Sequence, residues 1–527
     1  MNVLMIYTYF LSGAIGLLFL HHFILFILKF LLNPALFYLF TRYIVLPYIV
    51  RRSLFWSPIS RGAAFIHILH WSGTLICNIL GVNSAGAARS RAGSLALLHL
   101  VPALWTPQLS FGAHFFNLSL SAYNRFHRAF GWMALIQCGV HIIFAVRTYS
   151  FDLAEASHRN GFIAAITLSS ATLFFLPLIR QWAYEIFLKG HNFLSIMASV
   201  MIWLHLEEKK GFDAFCLYFA LGISVLTYIV YFLRQFYYNL VAGRPVAAAE
   251  LIKYQDAVKL TLTLARPWKV RGGQYVYLTI PAVRALSFAE SHPFSIVWWE
   301  EGPNGEAITL SVLAKIESGF TRALASSSHE HLRVWIDGPY GQCIDTKQYD
   351  SVILIATGIG VAAQLPYAKE LLSRQLKVES EHLKGLTTPK RISIVWELEQ
   401  ESHEDWIYQW MDQLLSDDSK TLVLHYTLYI LRRADESHGD GQRVKLGRRG
   451  AAFYGKPDFR GIMDKELSES LGKALVIISS DSKTRDEVRD LVLDSAQRVD
   501  LHEHDFQPEK SGRLLASRKE TKYAGVV

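Results

Sequence analysis

Four cysteines in 527 residues, none in a CxxC arrangement, exclude a disulfide framework and a structural zinc site. Cys77, Cys138 and Cys216 fall in apolar runs and read as small core residues. Charge of one sign is nowhere concentrated. The formal +8, from 53 basic and 45 acidic residues, is spread along the chain, which excludes the basic face that nucleic acid binding requires. The N-terminus lacks the basic n-region and small-residue cleavage site of a leader, and its apolar stretch is too long for one. Residues 3–32 are therefore expected to form a retained first helix. What is abundant is apolar surface: 51% of residues are hydrophobic and mean hydropathy is positive. That is too apolar for a wholly soluble protein, and the chain is too long for one domain.

Runs of about 20 apolar residues mark bilayer-spanning helices. They occur near 3–32, 63–82, 93–111, 126–147, 161–179, 190–206 and 213–233, so the expected architecture opens with a multi-pass α-helical membrane domain of about seven helices. "NSAGAARSRAG" reads as a loop between the second and third spans, and "NPALFYLFTRYIVLPYIVRR" as a candidate interfacial helix. An odd count places the termini on opposite faces. With the C-terminus inside, the inner segments hold ten Lys and Arg and the outer ones six, in the direction of the positive-inside rule.

From residue 246 onward short β-rich runs ("AVKLTLTLA", "QYVYLTIP", "FSIVWW", "AITLSVLAK") alternate with Gly and Pro turns, the pattern of a small antiparallel β-barrel. After "DGPYG" strands alternate with helices, from "SVILIAT" and "AAQLPYAKELLSRQ" to "KTLVLHYTLYI". Such alternation predicts an open parallel sheet, which binds ligands beyond the carboxyl ends of its strands. Residues 435–450 read as a polar insertion loop, and 508–527 as a disordered basic tail.

Within the apolar half, "HRAFGWMALIQCGVH" sets His127 and His141 fourteen residues apart, and "HNFLSIMASVMIWLH" repeats the spacing with His191 and His205. At about 3.6 residues per turn and 1.5 Å rise, both rings of a helix share one face about 21 Å apart, inside a hydrocarbon core about 30 Å thick. One intervening span makes the two helices parallel. His127 then lies level with His191, and His141 with His205. A buried imidazole in lipid is costly, and two per level is the donor set for a bis-histidine haem. For His21, His22, His67, His70, His99 and His114 a structural role is expected. His67 and His70 share a helix face, with no matching partner apparent in the sequence.

The doubled histidine spacing, "HPFS", "GPYG" and the glycine turn "ATGIGVAAQLPY" together resemble the ferric reductase and NADPH oxidase family, most closely its fungal ferric reductase-like members, over roughly residues 60–507. The resemblance implies that His292, Pro293, Phe294 and Ser295 line the flavin of FAD. It assigns Gly319, Phe320 and Thr321 to the FAD pyrophosphate and Gly338, Pro339, Tyr340 and Gly341 to the junction of flavin and nicotinamide domains. Thr357, Gly358, Ile359 and Gly360 would hold the NADPH pyrophosphate. Glycine at such turns lets backbone N–H groups approach phosphate. "GKPD", Gly455 to Asp458, resembles a GRPD loop near the nicotinamide. Where many relatives carry Cys-Gly-Pro, this chain reads Ser479, Ser480 and Asp481, a departure that bears on hydride transfer. Phe506 is a candidate for the C-terminal aromatic that covers the flavin, and Arg432 or Arg433 for contact with a 2′-phosphate.

The domains expected are a haem-binding transmembrane domain (1–235), an FAD-binding barrel (236–345) and an NAD(P)H-binding α/β domain (346–507), the last two forming a ferredoxin-reductase-like module. The function implied is electron transfer from cytosolic NADPH through FAD and two b-type haems to an extracytosolic metal, Fe(III) or Cu(II) chelates being the acceptors, in the plasma membrane and with a possible iron-uptake partner. FAD suits the step because it accepts two electrons and releases them singly. The alternatives are a superoxide-generating NADPH oxidase and a haem-binding membrane subunit impaired through Ser479.

Overall fold

The computed structural model describes residues 34–52, 58–148, 150–173, 184–206, 211–317, 319–381, 388–432, 443–470, 472–495 and 498–504. The expected first span, 3–32, and Phe506 lie outside them. The chain forms two compact units, the first ending at Tyr231 and the second beginning at Phe232.

The first unit is helical: α1 (Arg61–Ile79), α2 (Ala85–Ala103), α3 (Leu120–Thr148), α4 (Ala156–Leu173), α5 (Tyr184–His205) and α6 (Phe212–Asn239), the last two turns of α6 belonging to the second unit. Ser60, Ser84 and Ser119 start α1, α2 and α3 by accepting the N–H groups of Ala63, Ala87 and Ala122, each satisfying an orphan donor of a first turn. The cap at Ser84 draws "AGAARSRAG" into α2 rather than leaving it a loop. At its other end α2 stops before Pro107, which disfavours helical backbone at Thr106, and a separate short helix occupies Leu109–Phe115. The single span expected at 93–111 is thus two elements. Ahead of α1, Pro34–Phe40 is helical as expected for the interfacial segment, but Tyr48–Val50 pairs with Ile59–Ser60 as a small hairpin.

Helix α2 is buried from Ser94 through Pro102, so it forms the centre of the bundle. By contrast α1, α5 and α6 expose Phe65, Ile66, Phe193, Ile196, Phe215 and Phe219, an apolar exterior suited to lipid. Among the described residues three helices are long and apolar enough to cross a membrane: Leu120–Thr148, Ile186–His205 and Phe212–Asn239. The expected count of seven is not reached there. Polar residues such as His67 and His70 on α1, Arg89 and Arg91 on α2, and Arg159 and Asn160 on α4 dilute the remaining candidates.

The second unit holds two sheets. The first comprises β1 (Ala248–Lys253), β2 (Ala257–Trp268), β3 (Tyr275–Thr279), β4 (His292–Glu301), β5 (Ala307–Lys315), β6 (His331–Arg333) and β7 (Trp335–Tyr340), all antiparallel in the order β6-β1-β2-β5-β4-β3-β7. Alternation along β3 and β4 turns Val276, Leu278, Phe294 and Ile296 into its core. The open edge at β7 is covered by the end of α6. Asn239 donates to Ile336 O at 2.7 Å and accepts from Ile336 N at 2.8 Å, as a neighbouring strand would, while Trp335 donates to Gln235 at 2.9 Å. An edge strand closed this way offers no free ladder.

The second sheet comprises β8 (Ser351–Thr357), β9 (Arg391–Gln400), β10 (Leu424–Arg432), β11 (Arg443–Leu446), β12 (Gly450–Tyr454), β13 (Ala474–Ser479) and β14 (Val499–Glu503), in the order β11-β12-β10-β9-β8-β13-β14. Its strands are parallel except β11, which forms a hairpin with β12. The second part of the expected insertion loop is therefore a strand, because Arg443–Leu446 finds ladder partners in Gly450–Phe453. The two sheets share one hydrophobic core: Ala257, Val297, Trp298 and Leu313 of the first pack with Leu354 of the second and with Leu371 and Trp410 of the helices that follow its strands.

Candidate functional site

In the first unit the four singled-out histidines meet in two pairs. His127 and His191 have ring centres 6.1 Å apart, and His141 and His205 have theirs 6.3 Å apart. Two imidazoles sharing one metal need about 6 Å between ring centres, from metal–nitrogen bonds of about 2.0–2.1 Å and roughly 1 Å from each nitrogen to its ring centre. Both pairs fit a single iron between them.

The outer sides of the rings are fixed by the backbone. His141 Nδ1 lies 2.9 Å from Arg89 O, His205 Nδ1 2.8 Å from Ser157 O and His191 Nδ1 3.1 Å from Ala171 O, while His127 bonds the backbone of Ala103. A proton held on Nδ1 leaves Nε2 as the lone pair available to a metal. The partners of the histidines thus repeat their spacing of fourteen, Arg89 and Ala103 on α2, Ser157 and Ala171 on α4. Two glycines give the rings room: a Cβ on Gly93 would lie 2.8 Å from His141 Nδ1, and one on Gly161 2.8 Å from His205 Nδ1. None of these acceptor and glycine positions was singled out in the sequence, although their spacing was legible there.

A cavity of about 310 Å³ opens beside His127 and His191, lined by Arg128, Trp132, Ser195 and Tyr228. Among the described residues no group of three or more His, Cys, Asp or Glu could hold a metal ion, which leaves the two pairs as the candidate donor set. The sequence showed no partner for His70, but the structure supplies one. Its Nε2 lies 3.1 Å from that of buried His99, and its ring stacks on Phe130, a hydrogen-bonded pair too close to admit a metal between.

In the second unit the HPFS residues lie on β4. His292 stacks on Phe320 with centres 4.1 Å apart, Phe294 and Ser295 are buried, and Pro293 is exposed. Gly319 adopts φ +69°, a conformation that favours glycine, and Thr321 Oγ1 accepts Glu317 N at 3.0 Å. Sequence reasoning missed the cation here: a Cβ on Gly319 would lie 3.9 Å from Arg284 Nη1. Arg284 is held by Glu290 at 2.5 Å, and Glu290 also lies 3.5 Å from His292 Nε2. Burial lowers the pKa of His292, with Glu290 opposing. The only signal was an arginine eight residues ahead of HPFS.

At the GPYG turn Tyr340 is fully buried and its hydroxyl donates to Asp337. Arg234 lies 3.7 Å from Asp337 and over the Tyr340 ring. Gly338 and Gly341 have φ of +153° and +109°, and a Cβ on Gly341 would lie 2.6 Å from Gly273 O.

The chain leaves β8 toward β9 on one side and returns to β13 on the other, so the carboxyl ends of β8 and β13 form a topological switch point, the usual ligand position in such sheets. The structure brings Thr357–Gly360 and Ser479–Asp481 together there. Asp481 N donates to Thr357 Oγ1 at 3.0 Å, and a Cβ on Gly360 would stand 2.1 Å from Ser479 O. Gly360 is therefore required by strand packing, whereas Gly358, with φ +52°, faces open space. A 3-10 turn, Gly358–Ala363, separates the strand from the helix Leu365–Glu381. Ser479 Oγ is buried with no hydrogen-bond partner among the described residues. Burial, then the Asp481 carboxylate, pushes the Glu397 carboxyl up, while Lys456 of GKPD opposes this. Arg432 is exposed at the end of β10, and Arg433 lies outside the described residues.

Three family models match in succession: "Ferric reductase like transmembrane component" over residues 92–202, "FAD-binding domain" over 241–344 and "Ferric reductase NAD binding domain" over 349–479. Among curated relatives, the Ferric/cupric reductase transmembrane component 2 of Saccharomyces cerevisiae is 26% identical over 55% of this chain and 41% of its own length. The Ferric reductase transmembrane component 3 of the same organism is 26% identical over 53% of this chain and 40% of its own length. The matched segment thus spans less than half of each relative.

Proposed function

We propose, on the premise that the chain belongs to the ferric reductase family, that it is a transmembrane metalloreductase carrying electrons from NADPH to a metal chelate across the membrane. When bound, FAD supplies the conversion of a two-electron donor into single electrons, and two haems supply the path across the bilayer. The observation that carries this proposal is the pair of histidine levels, with centres 6.1 and 6.3 Å apart and backbone partners repeating the same spacing.

His127 and His191 hold the inner haem, His141 and His205 the outer one. Their ring bonds to backbone carbonyls turn the Nε2 lone pairs inward. In the second unit β4 presents His292–Ser295 to the flavin. Gly319–Thr321 bring backbone amides to the pyrophosphate, and Arg284 supplies positive charge beside them. Thr357–Gly360 hold the NADPH pyrophosphate, with Gly358 leaving the approach open. Ser479 takes the place of the family's cysteine, and its unsatisfied hydroxyl is the group available to the nicotinamide. The nucleotide sites face the cytosol, where NADPH resides, and the acceptor is a ferric or cupric chelate on the far side of a plasma membrane.

Cells expressing the chain are expected to reduce a membrane-impermeant ferric chelate, and the purified protein to show a b-type haem difference spectrum. No haem signal would refute the electron path. Superoxide release in place of metal reduction would refute the acceptor.

A further inference from the structure

The switch point and the flavin turns are joined by a contact that the proposed function leaves unused. Gly272 and Gly273 open the "GGQY" turn before β3, and Gly273 has φ +84°. A Cβ on Gly273 would lie 2.1 Å from Tyr367 Oη and 3.1 Å from His504 Nε2, and one on Gly272 would lie 2.7 Å from the Tyr367 ring. The space that side chains would occupy in this turn is filled by a tyrosine of the nucleotide domain. Tyr367 is buried, and its hydroxyl is hydrogen-bonded to His504 Nε2 at 2.6 Å. The turn is gripped a second time, because Glu370 accepts Gly272 N at 2.8 Å and pairs with Arg271 at 3.1 Å.

Both ends of this contact reach site residues. On one side Gly341 of GPYG packs against Gly273 O. On the other, His504 N donates to Ile478 O at 2.8 Å, one residue before Ser479. A continuous chain of contacts therefore runs from GPYG through Gly273, Tyr367 and His504 to the strand carrying Ser479. Relative displacement of donor and acceptor by about 1 Å costs on the order of a hundredfold in rate, so whatever fixes these two strands fixes hydride transfer.

We propose that Tyr367 and His504 form a latch that sets the register between the flavin turns and the nicotinamide strand, acting as positioning residues for hydride transfer. This rests on the proposed function for its reaction, but not for its geometry. The test uses the full chain in detergent, with Tyr367→Phe, His504→Leu, the double variant and His504→Gln, whose amide oxygen replaces the Nε2 acceptor. Tyr367→Phe and His504→Leu are expected to slow flavin bleaching by saturating NADPH about tenfold. Their FAD content should stay unchanged, and deuterium exchange of the amides at 271–275 should rise. The double variant should be no slower than either single one, and His504→Gln should recover most of the rate and protection. Unchanged rate and exchange, additive losses, or equal loss of FAD in Tyr367→Phe and His504→Gln would overturn the latch. Wild-type flavin that NADPH does not bleach would refute the proposed function instead, with the exchange comparison still deciding the latch.

Discussion

Replacing Gly161 by alanine separates a structural glycine from one that serves the proposed haem site. A Cβ there would lie 2.8 Å from His205 Nδ1 and 2.9 Å from Cε1, whereas ordinary contact begins at 3.4 Å. The ring must retreat by about 0.6 Å, which stretches its 2.8 Å bond to Ser157 O beyond the usual limit of about 3.2 Å. Loss of an outer-shell bond of this kind costs about 10–100-fold in metal affinity, or about 1.4–2.8 kcal/mol. In a helix interior the same substitution ordinarily stabilises by about 0.5–1 kcal/mol. The two effects have opposite signs and appear in different assays. Haem per protein, with a redox titration to resolve the two centres, should show selective loss of the centre held by His141 and His205. Gly93→Ala, acting on His141 from the opposite side, should do the same. Gly139→Ala on α3, where a Cβ would meet nothing within 4 Å, should keep both haems. Full occupancy in Gly161→Ala, or equal loss in Gly139→Ala, would show that Gly161 does not make room for a ligand ring.

Arg284→Gln should weaken FAD retention on gel filtration by about tenfold, as expected when a charge-assisted contact is lost, with little change in haem content. Ser479→Ala removes a buried unsatisfied hydroxyl and should stabilise the protein by about 1 kcal/mol while slowing NADPH-dependent flavin bleaching, and Ser479→Cys should restore the rate. Both changes moving together would argue against a role at the nicotinamide. Burial, then the His502 ring, hold the His504 imidazole down from 6.5 to about 3, so the folded protein takes up this proton far later than the unfolded chain. The associated stability is complete above about pH 6.5 and is lost as the pH falls toward 3. Thermal melts between pH 7.5 and 4.5 should therefore decline less steeply in His504→Gln than in wild type.

The alternation of β2 through β5 and the strand–helix succession after β8 were legible because local pattern and burial coincide there. Where a cap or a proline decides, as at Ser84 and Pro107, composition over a window misplaced the break between helices. The 435–450 stretch shows the same limit from the other side: polarity suggested a loop, yet Arg443–Leu446 pairs as soon as a ladder is available.

For the proposed haem sites the two levels were legible in the chain alone, because a spacing of fourteen is a property of a single helix. What stands behind each ring came from packing, since carbonyl partners on α2 and α4 lie 20–52 residues away. The nucleotide sites divide in the same way. The turns at Gly319, Gly338 and Gly358 are written locally, as glycines adopting positive φ. Arg284 beside Gly319, Ser479 against Gly360 and Tyr367 in the hollow of Gly273 arise only from packing, because a glycine records the absence of a side chain but not the neighbour that takes its place.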